Sequence, residues 1–173
     1  MNQWPQGITR SFLAALALAA VLTGSLAACG DDKQVSSSDR AAFDDFAQGA
    51  RSWQRSGAGP WMAAFKVGGG ELSAVAPKSE AAMQRSIDTM SSATKRISVP
   101  AVRKRMRAMV ATYRAKLATL KKISAGAGSM AQIQAGLAEL PAEGTATQAA
   151  WNAYVKAAKA EWKANPLSGL KIG

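Results

Sequence analysis

The chain has no histidine, and Cys29 is the only cysteine among its 173 residues. Without histidine there is no imidazole to shuttle protons near neutral pH or to ligate a metal. One thiol cannot close an intramolecular disulfide, nor supply the paired cysteines of a structural zinc site. Acids are scarce, 11 against 22 lysines and arginines, for a formal charge of +11 and a pI near 10.2. Aromatic residues make up only 6%, so any core has to be largely aliphatic. No run reaches 18 unbroken apolar residues, the length that a membrane-crossing helix needs. What the chain does have is 48% hydrophobic residues, too many for a disordered polymer, in a length that suits one domain.

The first residues form a pattern of their own. Residues 1–10 hold one charged side chain, Arg10, which adds to the charge of the α-amino group. An apolar run follows from Phe12 to Leu22. At about 1.5 Å per residue it falls short of a hydrocarbon core of about 30 Å, but it has the length of a signal-peptide h-region. The small residues Thr23, Gly24 and Ser25 come next, and then Leu26-Ala27-Ala28-Cys29-Gly30. This stretch resembles the lipobox of bacterial lipoproteins, a Leu and two small residues directly before an obligatory Cys. Leu26, Ala27, Ala28 and Cys29 match that pattern position by position, and the resemblance covers residues 1–29 only.

The resemblance implies cleavage between Ala28 and Cys29, a diacylglyceryl thioether on the Cys29 sulfur, and an acyl group on the new α-amine. It implies a protein exported to the bacterial cell envelope and held on a membrane by lipid. Ser25-Leu26-Ala27 also fits the small-x-small site of a general signal peptidase, in which case Cys29 is an incidental thiol. Lipidation accounts for the lone cysteine better, because a free thiol in an oxidising compartment is an odd leftover. Losing Arg10 from 22 basic residues against 11 acids leaves +10 over the 145 residues from Cys29 onward.

The expected organisation is a cleaved signal peptide over 1–28, a lipidated cysteine and flexible tether over 29–38, and an all-α domain over 39–173. Asp31, Asp32 and the serines 36–38 give the tether its polarity. In the domain, apolar residues step by three and four. Phe43, Phe46, Ala50 and Trp53 mark a first helix, capped by Ser38 or Asp39 and stopped by Gly57-Ala58-Gly59-Pro60. A short apolar piece, Trp61 to Phe65, ends at Gly68-Gly69-Gly70. A second long helix is predicted after Pro77, with Ser79 as cap and Met83, Ile87, Met90, Thr94 and Ile97 on one face. Pro100 closes it and opens a third, along Val102, Met106, Met109, Tyr113, Leu117, Leu120 and Ile123, ending at Gly126 or Gly128. A weaker helix, Met130 to Leu140, is predicted to stop at Pro141, and a last one to start at a Thr145/Gln148 capping box and close at Asn165-Pro166.

No stretch reads as a strand except a poor candidate at Leu72 to Ala76. The sum is a compact bundle of four to five helices, with Phe43, Phe46, Trp53, Tyr113, Trp151 and Trp162 in its core.

Catalytic signatures are missing. Asp44 and Asp45 are adjacent on a helix and do not face each other. There is no Glu-x-x-His, phosphate loop, nucleophile elbow or dinucleotide fingerprint, and no spacing singles out a Ser–Lys pair. No catalytic, cofactor or metal residue is therefore expected, and the domain reads as non-enzymatic. One feature stands out. No acid lies between Asp88 and Glu139, an interval that holds ten lysines and arginines. On a helix turning 100° per residue, Arg103, Arg107, Arg114 and Lys121 fall within about 40° of each other.

Such a stripe suits an anionic surface or partner: anionic lipid, anionic wall polymer or an acidic envelope protein. The alternative is a solvated face matched across the fold by Asp39, Asp44 and Asp45. Export argues against nucleic acid, and no aromatic but Tyr113 interleaves with the basic stretch to stack on bases. A competing function is solute binding, in a pocket inside the bundle lined by the tryptophans.

Overall fold

The Ser36 hydroxyl accepts a hydrogen bond from the Asp39 amide at 3.1 Å, satisfying one of the donors that a helix start leaves free. Helix α1, Ser37–Ser52, follows. The cap is thus Ser36 instead of Ser38 or Asp39, and Val35 already packs against the core. The computed structural model describes residues 34–170. The lipobox residues Leu26, Ala27, Ala28 and Cys29, the predicted signal peptide and the first part of the tether lie outside the described residues.

The predicted stop at Gly57–Pro60 does not occur. The chain widens into a π-helical turn, Trp53–Ala58, and passes directly into α2, Gly59–Val67. The Gly59 amide donates to the Gln54 carbonyl, five residues back, and Pro60 sits in the first turn of α2, where its missing N–H is tolerated. Gly57 lets this turn press against Met83, since a Cβ there would stand 2.3 Å from Met83 Cγ. The break at Gly68 is real: its φ of 141° is open to glycine and disfavoured for other residues.

Helix α3, Gly69–Arg96, begins about three turns earlier than the predicted Ser79 cap and carries Pro77 inside it. Leu72 and Ala76, the poor strand candidate, are buried helical residues four apart, in register with Met83, Ile87 and Met90. Burial of that face carries the helix through the proline. Pro77 and Ser73, whose carbonyl loses its partner, are both exposed, so water can replace the lost bond.

Helix α4, Pro100–Ala125, opens on Pro100 as predicted, and the Gly126 amide closes it on the Lys122 carbonyl. Helix α5, Met130–Trp162, is continuous where the sequence predicts two helices. Pro141 is exposed inside it. The Thr145/Gln148 capping box does not form: the Thr145 hydroxyl donates to the Pro141 carbonyl and the Gln148 amide to Asn152. An unbroken α4 running beside it offers α5 a packing surface on both sides of the proline.

The described residues are all-α. Phe43, Phe46, Trp53, Tyr113 and Trp162 are buried as predicted, while Trp151 is half-buried and rests against Tyr154. Phe43 meets Tyr154 and Trp162 edge-on, at 6.3 and 5.6 Å between ring centroids. Trp53 meets Tyr113 in the same way at 5.1 Å. Met83, Met90, Met106 and Met109 fill the core with flexible, polarizable chains. Burying each such side chain contributes about 1.5–3 kcal/mol.

The contacts also define the ends of the bundle. Asp39 Oδ1 accepts from the Ser98 amide at 2.7 Å and Oδ2 from the Ser98 hydroxyl at 2.6 Å, tying the start of α1 to the α3–α4 turn. The Phe43–Trp162 contact brings the end of α5 to the same place.

Candidate anion-facing surface

Two neighbours flank α4 and leave one side open. Toward α3, Arg114 Nη2 donates to Ser91 Oγ at 3.3 Å. Toward α5, Ile123 fills the space beside Gly136, and Thr119 and Lys122 face Glu139. The predicted stripe runs along the α3 edge of the open side: Arg107, Arg114 and Lys121 are exposed and Arg103 is half-buried. Among the described residues no carboxylate forms an ion pair with any of the four. Of the acids that could have matched them, Asp44 is exposed and forms no ion pair among the described residues, and the other two are engaged elsewhere. Asp39 accepts from Ser98, and Asp45 pairs with Arg96.

The two halves of α4 differ in charge. In the C-terminal half, Lys122 Nζ lies 3.0 Å from both oxygens of Glu139. The Thr119 hydroxyl is 3.0 Å from Glu139 and 2.5 Å from Glu143; with one proton, it donates to one carboxylate at a time. Hydrogen bonds from Lys122 and then Thr119 hold the Glu139 carboxyl below its ordinary pKa. Burial pushes the Lys116 amine down, and the negative charge of Glu143 pulls it partly back. Glu143 Oε2 is buried with no hydrogen-bond partner among the described residues. Sequence reasoning missed this polar cluster. Its signal was Glu139 and Glu143, four apart on one face of a helix that returns along α4.

The N-terminal half has no such counterweight. Arg103, Lys104, Arg105 and Arg107 crowd its first two turns, and the first turn contains no acid. A helix N-terminus is the positive pole of the backbone dipole, so a cation in the first turn, here Arg103, is disfavoured by about 0.3–1 kcal/mol at low ionic strength, and those of the second turn gain nothing from it. Helix stability therefore does not account for this placement.

The tryptophans invoked for a solute pocket sit mostly in the core among the described residues. Trp53, Trp61 and Trp162 are buried among core side chains, Trp61 Nε1 donates to Ser124 Oγ at 2.9 Å, and Trp151 is half-buried. Among the described residues, no three of Asp, Glu and Cys gather as a metal-binding group, and no helix is long and apolar enough to cross a membrane. What α4 offers is an electrostatic surface: fixed cations on a rigid helix, open to solvent and unopposed over its first two turns. No family model, curated protein or solved structure matches this chain.

Proposed function

We propose that the protein is a lipid-anchored component of the bacterial cell envelope that acts by binding, without catalysis. In this reading Cys29 carries the lipid and the open face of α4 engages an anionic surface or partner: anionic lipid, wall polymer or an acidic envelope protein. One observation carries the binding half of the proposal. Arg103, Arg107, Arg114 and Lys121 share one solvent-reaching edge of α4, beside α3, and no carboxylate pairs with them among the described residues. Near an anionic membrane each such cation contributes about 1 kcal/mol of attraction.

The test replaces all four by Gln in the unlipidated domain and measures co-sedimentation with vesicles at two salt concentrations. The unsubstituted domain is expected to bind anionic vesicles, to release as salt rises, and to ignore neutral ones. The four-Gln variant is expected to lose most of the binding while melting near the original temperature, because exposed charges contribute little to stability. Equal binding by both proteins makes the stripe a solvated face. A large drop in melting temperature makes these residues structural.

A further inference from the structure

The point where the chain enters the fold and the uncompensated half of α4 lie at the same end of the bundle. Asp39 ties the start of α1 to Ser98, Asp45 pairs with Arg96 at the end of α3, and Pro100 begins α4 two residues after Ser98. Cys29 stands eight residues before Ser37, so fully extended chain separates them by no more than about 29 Å. Helix α4, with 26 residues, is about 39 Å long. A lipid on Cys29 therefore keeps the start of α1, to which the α3–α4 turn is tied through Asp39 and Ser98, within about 29 Å of its membrane.

Helical side chains tilt toward the N-terminus, so Arg103, Lys104 and Arg107 lean toward this end. Lys95 is exposed in the last turn of α3, at the same end of the bundle. Of the acids here, Asp39 and Asp45 are engaged with Ser98 and Arg96. Asp44 and Glu161 are outnumbered by the basic residues in the first two turns of α4 alone. At the far end, Glu139 neutralises Lys122 and Glu143 faces Lys116.

Resting on the proposed lipidation of Cys29, we infer that this end of the bundle is a headgroup-docking surface. Its partner is anionic phospholipid of the same bilayer that holds the acyl chains. Once tethered, the domain meets it end-on through Lys95, Arg103, Lys104 and Arg107, so that of the α4 stripe only the N-terminal half reaches the bilayer and Arg114 and Lys121 stay farther from it. Charge attraction fades beyond a Debye length of about 8 Å at physiological salt, so binding by these cations requires that they be brought close. The short tether does this, converting a weak encounter into an intramolecular one at high effective concentration.

The experiment uses the full lipidated protein, purified from membranes and inserted into preformed vesicles of phosphatidylcholine, with or without phosphatidylglycerol. Exposed lysines are acylated with a membrane-impermeant reagent and quantified by mass spectrometry. On anionic vesicles Lys95 and Lys104 are expected to label about threefold more slowly or less, relative to neutral vesicles, with Lys66 and Lys121 unchanged. High salt is expected to erase the difference, and Arg103→Gln with Arg107→Gln to reduce it. Identical labelling on the two vesicles, with Cys29 lipidated, overturns the docking surface and leaves the anchor standing. Protection of Lys121 as strong as that of Lys104 overturns the end-on geometry in favour of α4 lying flat. The same digest reports the mass of the Cys29 peptide; an unmodified mass overturns the anchor and this inference with it.

Discussion

Single side chains in the core make the protein sensitive to alkali. Tyr113 is 7% exposed, and burial pushes its phenol from 10.0 up to about 12. Burial raises Tyr154 as well. Its hydroxyl has no hydrogen-bond partner of good geometry among the described residues, and the nearby Leu167 amide, which donates to Asn165 Oδ1, offsets only part of the rise. A group whose folded pKa lies above its unfolded value gives its full stability below the unfolded pKa and loses it as pH rises through the folded one. For Tyr113 that window runs from 10.0 to about 12, and the shift is equivalent to about 3 kcal/mol. The chain has only these two tyrosines. Tyrosinate absorbance and loss of the helical circular dichroism signal are therefore expected to rise together, in one steep step above pH 10.0. Smooth ionisation near the ordinary phenol value with the helices intact would contradict the burial of both rings.

Two glycines of α5 predict opposite outcomes from the same substitution. At Gly136 a Cβ would come 2.4 Å from Ile123 Cγ1, a branched and fully buried side chain. At Gly144 nothing lies within 4 Å. Alanine favours a helix interior over glycine by about 1 kcal/mol. Gly144→Ala is therefore expected to raise the melting temperature. Gly136→Ala is expected to lower it, since overpacking costs about 1–3 kcal/mol and exceeds the propensity gain. Denaturant melts of the two variants check both signs.

At the scale of the elements, what the sequence disclosed and what it hid follow from where the signals act. Helix α4 was legible from end to end. Pro100 and Gly126 are terminus signals that act locally, and Val102 to Ile123 keep one apolar phase between them. The prolines of α3 and α5 misled for the same local reason. Pro77 and Pro141 read as boundaries, yet each sits on an exposed surface of a helix whose other side is buried against a neighbour. Packing over the whole length outweighs one missing hydrogen bond. The candidate surface divides similarly: the stripe was visible in helical spacing, whereas Glu139 and Glu143 act on α4 only through tertiary pairing. Continuity of α5 makes a direct prediction. Pro141→Ala restores an amide donor toward the Leu137 carbonyl and removes the ring clash, so stability is expected to rise by about 1–3 kcal/mol in a denaturant melt. No gain, or a loss, would mean that the chain needs a proline-specific break at that point.

At the scale of the whole molecule, the proposed lipid and the basic end of the bundle hold the same membrane by forces that respond differently to salt. Acyl chains bind by burying methylenes, about 0.8 kcal/mol each, so a diacylglyceryl group anchors stably at any ionic strength. The cations act through a screened field whose Debye length shrinks from about 30 Å at 0.01 M to about 3 Å at 1 M salt. Washing membranes at these two extremes therefore separates the two. Cys29→Ser is best carried on a leader that a general signal peptidase removes, so that no uncleaved apolar segment substitutes for the lipid. The unsubstituted protein is expected to stay in the membrane fraction through both washes. The Cys29→Ser protein is expected to remain partly bound in the low-salt wash and to leave in the high-salt wash. Adding Arg103→Gln and Arg107→Gln to Cys29→Ser is expected to release it at low salt already, because these two arginines stand in the first two turns of α4, at the end that faces the membrane, while Glu139 and Glu143 counter Lys122 and Lys116 at the far end. Retention of Cys29→Ser through the high-salt wash would show that something other than lipid on Cys29 anchors the chain. Its complete release at low salt would confine the basic end to solvent.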